Sequence, residues 1–468
     1  MIAIAGAGPA GVAAAYELGR RGHAARVFEH DAQIGGLSRT VCHDGYRCDI
    51  GGHRFFTKSA EVSQFWRTVL PDDLLRRSRL SRILYRGRLF QYPLRALDAL
   101  VKLGVSETAH ALGSFAKRQI WPRRPERSFE DWVSNRFGDH LYRIFFKTYT
   151  EKVWGIACTD LSADWAAQRI RNLNLGRAML NAIGVARGRN VASLIEEFDY
   201  PRYGPGQLYE NAAQQATAMG AEFHLRHEIV RVNHDGSRVT SLGVLDGGRL
   251  LEVPVSHLIS SMPLTDLIGR LAPAPPEMVV QASRALRYRS IITVNLVIHQ
   301  ADVLPDTWVY LHSPEIRAGR LQLYKNWSPY MVPDPATSVV GLEYFTWEES
   351  APWTLSDTAL LEMAQQDMAA LNLVAPGSVA GGFVVRYSKA YPVYEGDYAT
   401  RVSAIREYLA RFANLVCVGR YGQFRYNNMD HSIMTAFLGV RRLLGEPVDP
   451  WAVNEDAQYL EERAPTQA

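Results

Sequence analysis

The first part of the chain carries glycines and one acid whose types and spacing suit the binding of a dinucleotide. The run Gly6–Gly11 reads Gly-Ala-Gly-Pro-Ala-Gly, lies between an apolar stretch and an alanine-rich stretch, and is followed by Glu29. Its first two glycines allow a tight turn close to a pyrophosphate, and Gly11 allows a helix to pack on the preceding strand. The N-terminus of that helix attracts phosphate, and Glu29 can accept hydrogen bonds from ribose hydroxyls. The pattern predicts a strand–turn–helix–strand unit that binds a dinucleotide.

Two further glycine pairs, Gly35-Gly36 and Gly51-Gly52, follow this acid. A nicotinamide dinucleotide does not need them, whereas an extended flavin-adenine dinucleotide (FAD) does, because more backbone must approach its pyrophosphate and its ring. Arg39 beside the first pair can neutralise phosphate charge. FAD is therefore the predicted cofactor. The residues of this region predicted to bind it are Gly6, Gly8, Pro9, Ala10, Gly11, Glu29, His30, Gly35, Gly36, Leu37, Ser38, Arg39, Gly51, Gly52 and His53.

Length, charge and cysteine content narrow the class of protein. The chain has 468 residues, enough for two or three domains, and its formal net charge of +4 does not indicate nucleic-acid binding. Cys42, Cys48, Cys158 and Cys417 form no Cys-x-x-Cys pair, so buried free thiols are expected and no metal site is predicted. The nucleotide-binding strand begins at Met1 and no apolar run is as long as a membrane span. A cytoplasmic protein without signal peptide or transmembrane segment is expected.

The order of the predicted elements divides the chain into five segments of an α/β protein. Elements typical of a Rossmann-like FAD-binding domain (GR2 type) recur in three separated stretches, with a helical lobe and an antiparallel sheet between them. The predicted segments are residues 1–58, 196–265 and 401–468 for the FAD-binding domain, 59–195 for the helical insertion, and 266–400 for the antiparallel β substrate domain.

The inserted segment is rich in arginine. Between residues 59 and 137, roughly fifteen basic residues accompany about half as many acidic ones. The Leu- and Arg-containing runs at 74–77 and 82–86 are predicted to be helical. The basic surface is either a solvated helical face or a surface that meets an anionic substrate or a membrane. Ser128 and Asp131 predict a capping box at the start of one helix.

Four patches that together span nearly the whole chain carry a resemblance to a known group. They are Gly51–Phe56; Tyr149–Gly155 with Arg169 and Ile170; Arg320–Lys325 with Glu343, Tyr344 and Tyr391–Val393; and Val418–Asp430. The chain resembles the amine-oxidase/protoporphyrinogen-oxidase superfamily in these patches. Within that superfamily it is most similar to the UDP-galactopyranose mutases.

The resemblance implies a role for each matching residue. Arg169 and Arg320 would grip a substrate diphosphate, a task that guanidinium groups suit because they bond phosphate oxygens in pairs. His53 would lie against the flavin ring. The implied catalytic residues are His53, Arg169, Arg320, Tyr391 and Tyr426, and the implied substrate-binding residues are Tyr149, Trp154 and Asn428. Further implied flavin-binding residues are Ile229, Val230, Gly419, Arg420, Asn428, Met429 and Ser432.

The resemblance also implies an activity. Such mutases use reduced FAD to interconvert a pyranose and a furanose without net oxidation, the flavin N5 attacking the anomeric carbon. The implied substrate is a small molecule, a sugar linked to a nucleotide or to a lipid phosphate. Asn428 stands where those enzymes often carry Asp.

Two other functions stay open at this point. One is a FAD-dependent oxidoreductase, such as an amine oxidase or a protoporphyrinogen oxidase-like dehydrogenase or desaturase. The other is a flavin-binding, membrane-associated protein without catalysis. No nucleic-acid partner is expected, and a homodimer and an interfacial contact with a membrane are both left open.

Overall fold

Residues 1–94, 96–163 and 196–454 are described by a computed structural model of the chain. Strands from three distant parts of the chain form one parallel sheet of five strands. β1 (Ile2–Ala5) lies at its centre, between β2 (Ala25–Glu29) and the strand His257–Ser260. The strands Glu222–Leu225 and Leu415–Cys417 form its two edges. The carboxyl ends of β1 and β2 therefore meet at the same edge, where ligands of such sheets bind.

Helix α1 (Pro9–Arg20) joins β1 to β2 and is buried over most of its length. Its alanines let the helices Gly206–Ala218 and Met429–Leu443 pack closely against it. The approach of α1 to its own strand is even closer, because a Cβ atom at Gly11 would lie 1.8 Å from the carbonyl oxygen of Gly6. Glycine at position 11 is thus a condition for the helix to begin where it does.

A second, mostly antiparallel sheet has seven strands. In spatial order they are Val379–Pro392, Tyr288–Ile298, Ser338–Thr346, Arg320–Leu323, Trp308–Leu311, Ser81–Tyr85 and Arg88–Gln91. Only the pair Trp308–Leu311 and Ser81–Tyr85 is parallel. The first strand is bulged against its neighbour between Tyr387 and Tyr391. A bulge re-aims side chains, and here Tyr387, Ser388, Lys389 and Tyr391 all reach the same cavity.

The remaining elements surround these two sheets. A four-stranded sheet contains Arg249–Pro254, Val239–Asp246, His227–His234 and Leu271–Ala272, and two smaller pairs join Thr40–His43 to Tyr46–Asp49 and Leu74–Ser78 to Glu197–Pro201. The next helices along the chain are α2 (Ala60–Val69), α3 (Ala96–Leu103) and α4 (Val105–Ile120). Later helices are Phe129–Phe137, Asp139–Tyr142, Thr148–Trp154, Leu264–Arg270, Glu277–Arg284, Tyr324–Trp327, Asp357–Leu371, Tyr398–Leu409 and Gly419–Gly422. Within the described ranges, no helix has the length and apolar character needed to cross a bilayer.

Several predicted elements are confirmed and one group is wrong. The predicted strand–turn–helix–strand unit is formed by Ile2–Ala5, Pro9–Arg20 and Ala25–Glu29, and Ser128 and Asp131 form the predicted capping box. The runs at 74–77 and 82–86, predicted to be helical, belong to the strands Leu74–Ser78 and Ser81–Tyr85. Short apolar runs do not distinguish helix from strand. The turn at Arg86 and Gly87 could have indicated strands instead. Both residues have a positive φ, 48° and 71°, as the tight turn of a hairpin requires.

One of the four cysteines also differs from expectation. Cys48, Cys158 and Cys417 are buried free thiols as predicted, whereas Cys42 is exposed. Cys42 lies on the short hairpin strand Thr40–His43, whose later residues face solvent. Exposure increases along the strand from Thr40 to His43, so the position of Cys42 on the hairpin decides its burial and not the residue type.

Asp49 fastens the Gly51-Gly52 turn to the rest of the protein. Its Oδ1 accepts a hydrogen bond from Thr40 Oγ1 at 2.9 Å, and its Oδ2 accepts one from the Tyr200 hydroxyl. The Tyr324 hydroxyl donates to the Asp49 carbonyl oxygen at 2.8 Å. Burial raises the pKa of the Asp49 carboxyl to about 7, although the two hydroxyl donors act in the opposite direction.

We predict a pH-dependent difference in stability between the wild type and Asp49→Asn. The carboxyl of Asp49 ionises near 3.8 in the unfolded chain and near 7 in the folded one. The protonated carboxyl therefore stabilises the fold fully below pH 3.8, and this contribution to the free energy of unfolding is lost as the pH rises through about 7. Asparagine does not titrate. The free energy of unfolding of the variant should therefore rise relative to that of the wild type by a few kcal/mol across this pH range, at about 1.4 kcal/mol per pKa unit. Urea unfolding at several pH values measures this difference, and a constant difference would contradict the assignment.

Candidate active site

A single elongated cavity of about 630 Å³ runs between the two large sheets. One end is lined by Gly8 and Glu29 at the edge of the parallel sheet, and the other by Tyr149, His312 and Arg320. Its size lies in the range typical of cofactor and substrate sites. The cavity therefore connects the predicted dinucleotide-binding residues to the predicted substrate residues.

Two glycine turns cross at the nucleotide end. A Cβ atom at Gly36 would lie 3.0 Å from the Cα of Gly8, and one at Gly8 would meet only the Cα of Gly36, at 3.8 Å. The N–H of Gly35 donates to the carbonyl oxygen of Ala7 at 2.9 Å and holds the two turns together. The space beside Gly8 is open because neither turn carries a side chain there. Such a bare backbone is what a pyrophosphate needs to approach.

Glu29 ends β2 beside this crossing. Its Oε2 accepts a hydrogen bond from the N–H of Ala7 at 2.7 Å, and its Oε1 accepts one from the N–H of Asp31 at 2.9 Å. Burial opposes ionisation, but the contact with His30 and the backbone N–H donors bring the pKa of Glu29 below its usual value. The carboxylate is thus charged and lines the cavity. It is suited to accept hydrogen bonds from ribose hydroxyls.

Positive potential converges on the same end of the cavity. The N-termini of α1 and of the helix Met429–Leu443 both line it, and a Cβ atom at Gly419 would lie 2.9 Å from Cβ of Ala10. Helix N-termini attract anions. Arg39 also lines the cavity, where it is paired with Asp31 and its buried Nε has no hydrogen-bond acceptor among the described residues. The donor groups present therefore fit the pyrophosphate of FAD.

Most of the predicted cofactor residues line this cavity. Those that do are Gly6, Gly8, Pro9, Ala10, Glu29, His30, Gly36, Leu37, Ser38, Arg39, Gly51, Gly52, His53, Ile229, Gly419, Arg420, Asn428, Met429 and Ser432. Gly11, Gly35 and Val230 do not line it. Gly11 and Gly35 shape the turns behind the cavity wall, as described above, whereas the side chain of Val230 points out from its strand and is partly exposed.

Arg320 is the best-anchored charged group at the other end. The register of two antiparallel strands puts it directly opposite Glu343, whose side chain is fully buried. Arg320 Nε donates to Glu343 Oε2 at 2.6 Å, and Gln322 Nε2 donates to Glu343 Oε1 at 2.6 Å. Arg320 Nη2 donates to the Tyr391 hydroxyl at 3.0 Å. The guanidinium is therefore held in one orientation, and Glu343 balances its charge.

Three aromatic residues from different parts of the chain meet beside Arg320. Tyr391 stacks on Tyr426 with ring centroids 5.7 Å apart, and Trp154 lies 6.4 Å from the first ring and 6.3 Å from the second. The guanidinium of Arg420 lies over both tyrosines, 4.5 Å from the centroid of Tyr426. Burial raises the pKa of Tyr391 to about 12 although Arg320 opposes the shift. The phenol is therefore neutral near pH 7 and keeps its O–H donor.

His53 is a neutral imidazole in this setting. Burial lowers its pKa to about 4, and the positive charges of Arg420 and Arg320 act in the same direction. Its Nε2 lies 2.9 Å from the carbonyl oxygen of Ile50, which can only accept, so Nε2 carries the proton. His53 is thus a fixed polar group at the cavity wall and does not add a charge to it.

Some cavity residues were not predicted from the sequence. His312 stacks on Tyr149 with ring centroids 4.8 Å apart, and its buried Nδ1 has no hydrogen-bond partner within the described ranges. An aromatic and aliphatic wall is formed by Ile83, Leu94, Phe129, Phe145 and Phe146. No sequence spacing links these residues, because the wall is assembled from one strand, a loop and separate helical segments. The predicted catalytic residue Arg169 lies outside the described residues.

The ionisable groups of the described part of the chain do not form a metal site. Four of the carboxylates that line the cavity have a basic partner: Glu29 with His30, Asp31 with Arg39, Glu228 with Arg270, and Asp266 with Lys389. The fifth, Asp430, lies 3.9 Å from His431 Nε2, and burial raises the pKa of its carboxyl. Charged groups at the cavity are therefore mostly paired within the protein.

Comparison with known proteins agrees with this geometry. A protein of Mycobacterium tuberculosis named as a flavin-containing monoamine oxidase is 25% identical over 295 residues, which are 59% of this chain and 60% of the relative. The match thus spans less than two thirds of that relative's length. The crystal structure of a reduced UDP-galactopyranose mutase superposes with a TM-score of 0.84 at 21% identity, covering 97% of both chains.

A second solved structure has the same fold. A protein from Exiguobacterium sp. 255-15 described as a protoporphyrinogen oxidase superposes with a TM-score of 0.69 at 17% identity, over 93% of this chain and 97% of that one. At these identities the likeness concerns the fold alone. The model of the flavin-containing amine oxidoreductase family matches residues 9–457, nearly the entire chain. The chain therefore belongs to the flavin-containing amine oxidoreductase family and is a flavin-dependent enzyme with FAD as its cofactor.

Proposed function

We propose that this enzyme isomerises a sugar linked to a nucleotide or lipid phosphate, without net oxidation, as a UDP-galactopyranose mutase does. The observation that carries the proposal is the fixed guanidinium of Arg320, with neutral phenol donors beside it at the end of the cavity remote from Glu29. Guanidinium and phenol groups together bind phosphate and sugar oxygens.

The balance of charge at this end favours an anionic or neutral substrate over an amine. Glu343 balances the charge of Arg320. Arg420 also lines the cavity and donates to the carbonyl oxygens of Asn427 and Ala390, so a protonated amine would be repelled by Arg420. Most acids of the described cavity wall are already paired, and both oxygens of Glu343 are engaged below the surface. An ammonium group would find four of the five described cavity carboxylates already paired with a basic side chain. Membership of an amine oxidoreductase family therefore does not by itself predict an amine substrate.

Each residue has a defined task in this proposal. FAD supplies, when reduced, a nucleophilic ring nitrogen for the anomeric carbon. Arg320 orients the phosphate next to that carbon, and Tyr391 and Tyr426 donate hydrogen bonds to the leaving phosphate oxygens as negative charge develops there. Trp154 closes the side of the pocket and excludes water. His53 stays neutral and holds its orientation through Ile50.

The second candidate function is a FAD-dependent oxidoreductase that acts on an apolar substrate. The wall formed by Ile83, Leu94, Phe129, Phe145 and Phe146 favours it, because such a surface binds a hydrophobic ring or chain better than a hydrated sugar. Hydrogen peroxide released by the oxidised enzyme during turnover would identify this class. A mutase would release none.

We predict that Gly8→Val abolishes FAD binding and leaves the fold intact. A Cβ atom at Gly8 meets only the Cα of Gly36, at 3.8 Å, and the backbone there is extended, so the apoprotein can accommodate valine. The side chain fills the space that a pyrophosphate needs. The ratio of absorbance at the flavin band to that at the protein band reports the loss. Gly381→Val, at an equally open strand position, is the control, and a yellow Gly8→Val protein would refute the assignment.

We predict that removing the Arg320–Glu343 pair weakens a nucleoside diphosphate by about 1.5–3 kcal/mol, the scale of charge-assisted hydrogen bonds. Arg320→Ala alone is a poor probe because it leaves Glu343 buried without its cation, at a cost of about 3–5 kcal/mol in stability. The double variant Arg320→Gln/Glu343→Gln removes both charges. Titration with UDP, followed by the flavin spectrum, measures the affinity.

Tyr391→Phe measures the contribution of the Tyr391 hydroxyl to ligand binding separately from that of the Arg320 charge. It removes the phenol that accepts from Arg320 and donates towards the cavity, and it preserves the stacking on Tyr426. The expected loss in UDP affinity is about 1 kcal/mol. Tyr408→Phe, at a buried tyrosine that does not line the cavity, is the matched control. Affinity for UDP that is the same in the wild type, the double variant and Tyr391→Phe would exclude a diphosphate at Arg320.

A further inference from the structure

The outer side of α4 is an apolar stripe that no other described element covers. Val105, Ala109, Gly113, Ala116 and Ile120 follow each other at intervals of three or four residues, and all five are exposed. Such intervals put them on one face of the helix. In a 16-residue helix the stripe is about 24 Å long.

Two large side chains extend the stripe at its ends. Val101 on α3 is 80% exposed, and Trp121, directly after α4, is 66% exposed. Val105 and Ile120 are 90% and 64% exposed. Large apolar residues grouped in this way on a soluble surface mark an interaction site.

The opposite side of the same helices packs towards the cavity. Leu103 and Phe115 join the hydrophobic cluster that contains Phe129, Phe146 and Leu94. The last three residues line the apolar end of the cavity. Helices α3 and α4 therefore lie between that end of the cavity and the exposed stripe.

The acids around the stripe are paired with nearby basic side chains, so the charge that remains there is positive. Its three acids are each engaged: Asp98 with Lys102 at 2.6 Å, Glu107 with His140 at 2.5 Å, and Glu126 with Arg136 at 3.0 Å. Lys117, Arg124 and Arg127 are exposed, and their side chains have no acidic partner among the described residues. An apolar stripe with unpaired basic residues near one end matches the surface of an anionic bilayer.

A second copy of the chain fits this surface less well. The exposed basic residues Lys117, Arg124 and Arg127 would find no free acidic counterpart on the stripe of a second copy, because its three acids are already paired, and an interface without charge complementarity is disfavoured. Trp121 beside the basic residues also suits the interface between lipid head groups and acyl chains. We propose that the face formed by α3, α4 and Trp121 docks on an anionic phospholipid membrane, with the apolar end of the cavity directly behind it.

Vesicle co-sedimentation of the FAD-loaded full chain tests this proposal. The probes are vesicles of phosphatidylcholine alone and of phosphatidylcholine with one third phosphatidylglycerol. Binding is expected on the anionic vesicles and is expected to weaken as salt rises. Val105→Ser/Ile120→Ser/Trp121→Ser should lower the partition coefficient by about tenfold or more. Lys117→Gln/Arg124→Gln/Arg127→Gln should lower it by about a hundredfold and remove the salt dependence.

Matched variants elsewhere on the surface provide the controls. Leu250→Ser/Met278→Ser removes exposed apolar residues, 52% and 72% exposed, and Arg238→Gln/Arg249→Gln/Arg284→Gln removes exposed charges. FAD content and thermal unfolding check that every variant is folded. The absence of wild-type binding to anionic vesicles, or equal losses in the controls, would overturn the proposal. So would a dimer in sedimentation velocity that the stripe variant dissociates while no vesicle binding occurs.

Discussion

The structure depends on the contact between the start of helix α1 and the turn that precedes it. A side chain at Gly11 would collide with the carbonyl oxygen of Gly6, so only glycine lets α1 lie against β1. That position points the N-terminus of α1 at the crossing of Gly8 and Gly36. It also brings the N–H of Ala7 to Glu29 and leaves a bare backbone channel for the pyrophosphate. The helix Met429–Leu443 and the Gly419 turn pack on the same helix, so the cofactor end of the cavity follows from this one approach.

The far end of the cavity is organised by a buried ion pair. Glu343 is fully buried, which is tolerable because Arg320 and Gln322 satisfy both of its oxygens. The pair fixes the guanidinium and brings Tyr391 to it, while neutralising much of its charge. The site is therefore better described as a set of oriented donors than as a strongly positive pocket. Oriented donors stabilise charge that develops during a reaction without reorganising.

The sequence predicts the nucleotide end of the cavity well because local rules act there. The glycine spacing, the alanine-rich helix and Glu29 all lie within one short strand–helix–strand unit, where each residue type has one physical reason. The substrate end is different, since Trp154, Arg320, Tyr391 and Tyr426 meet only through sheet register and a bulge. Their matching motifs identified them, but neither Glu343 as the partner of Arg320 nor the stacking of His312 on Tyr149 had a local signal. The hairpin at residues 81–91 was missed because its short runs fit a helix equally well.

The central claim is that the cavity performs redox-neutral chemistry on a phosphate-linked sugar. The most direct test is anaerobic incubation of the purified enzyme with UDP-galactopyranose, with FAD either oxidised or reduced by dithionite, followed by chromatographic separation of the pyranose and furanose forms. The account predicts furanose only with the reduced enzyme, and no peroxide when air is admitted to the oxidised one with substrate. A flavin spectrum indifferent to UDP, together with no furanose in either state, would contradict it and assign the enzyme to the oxidoreductases.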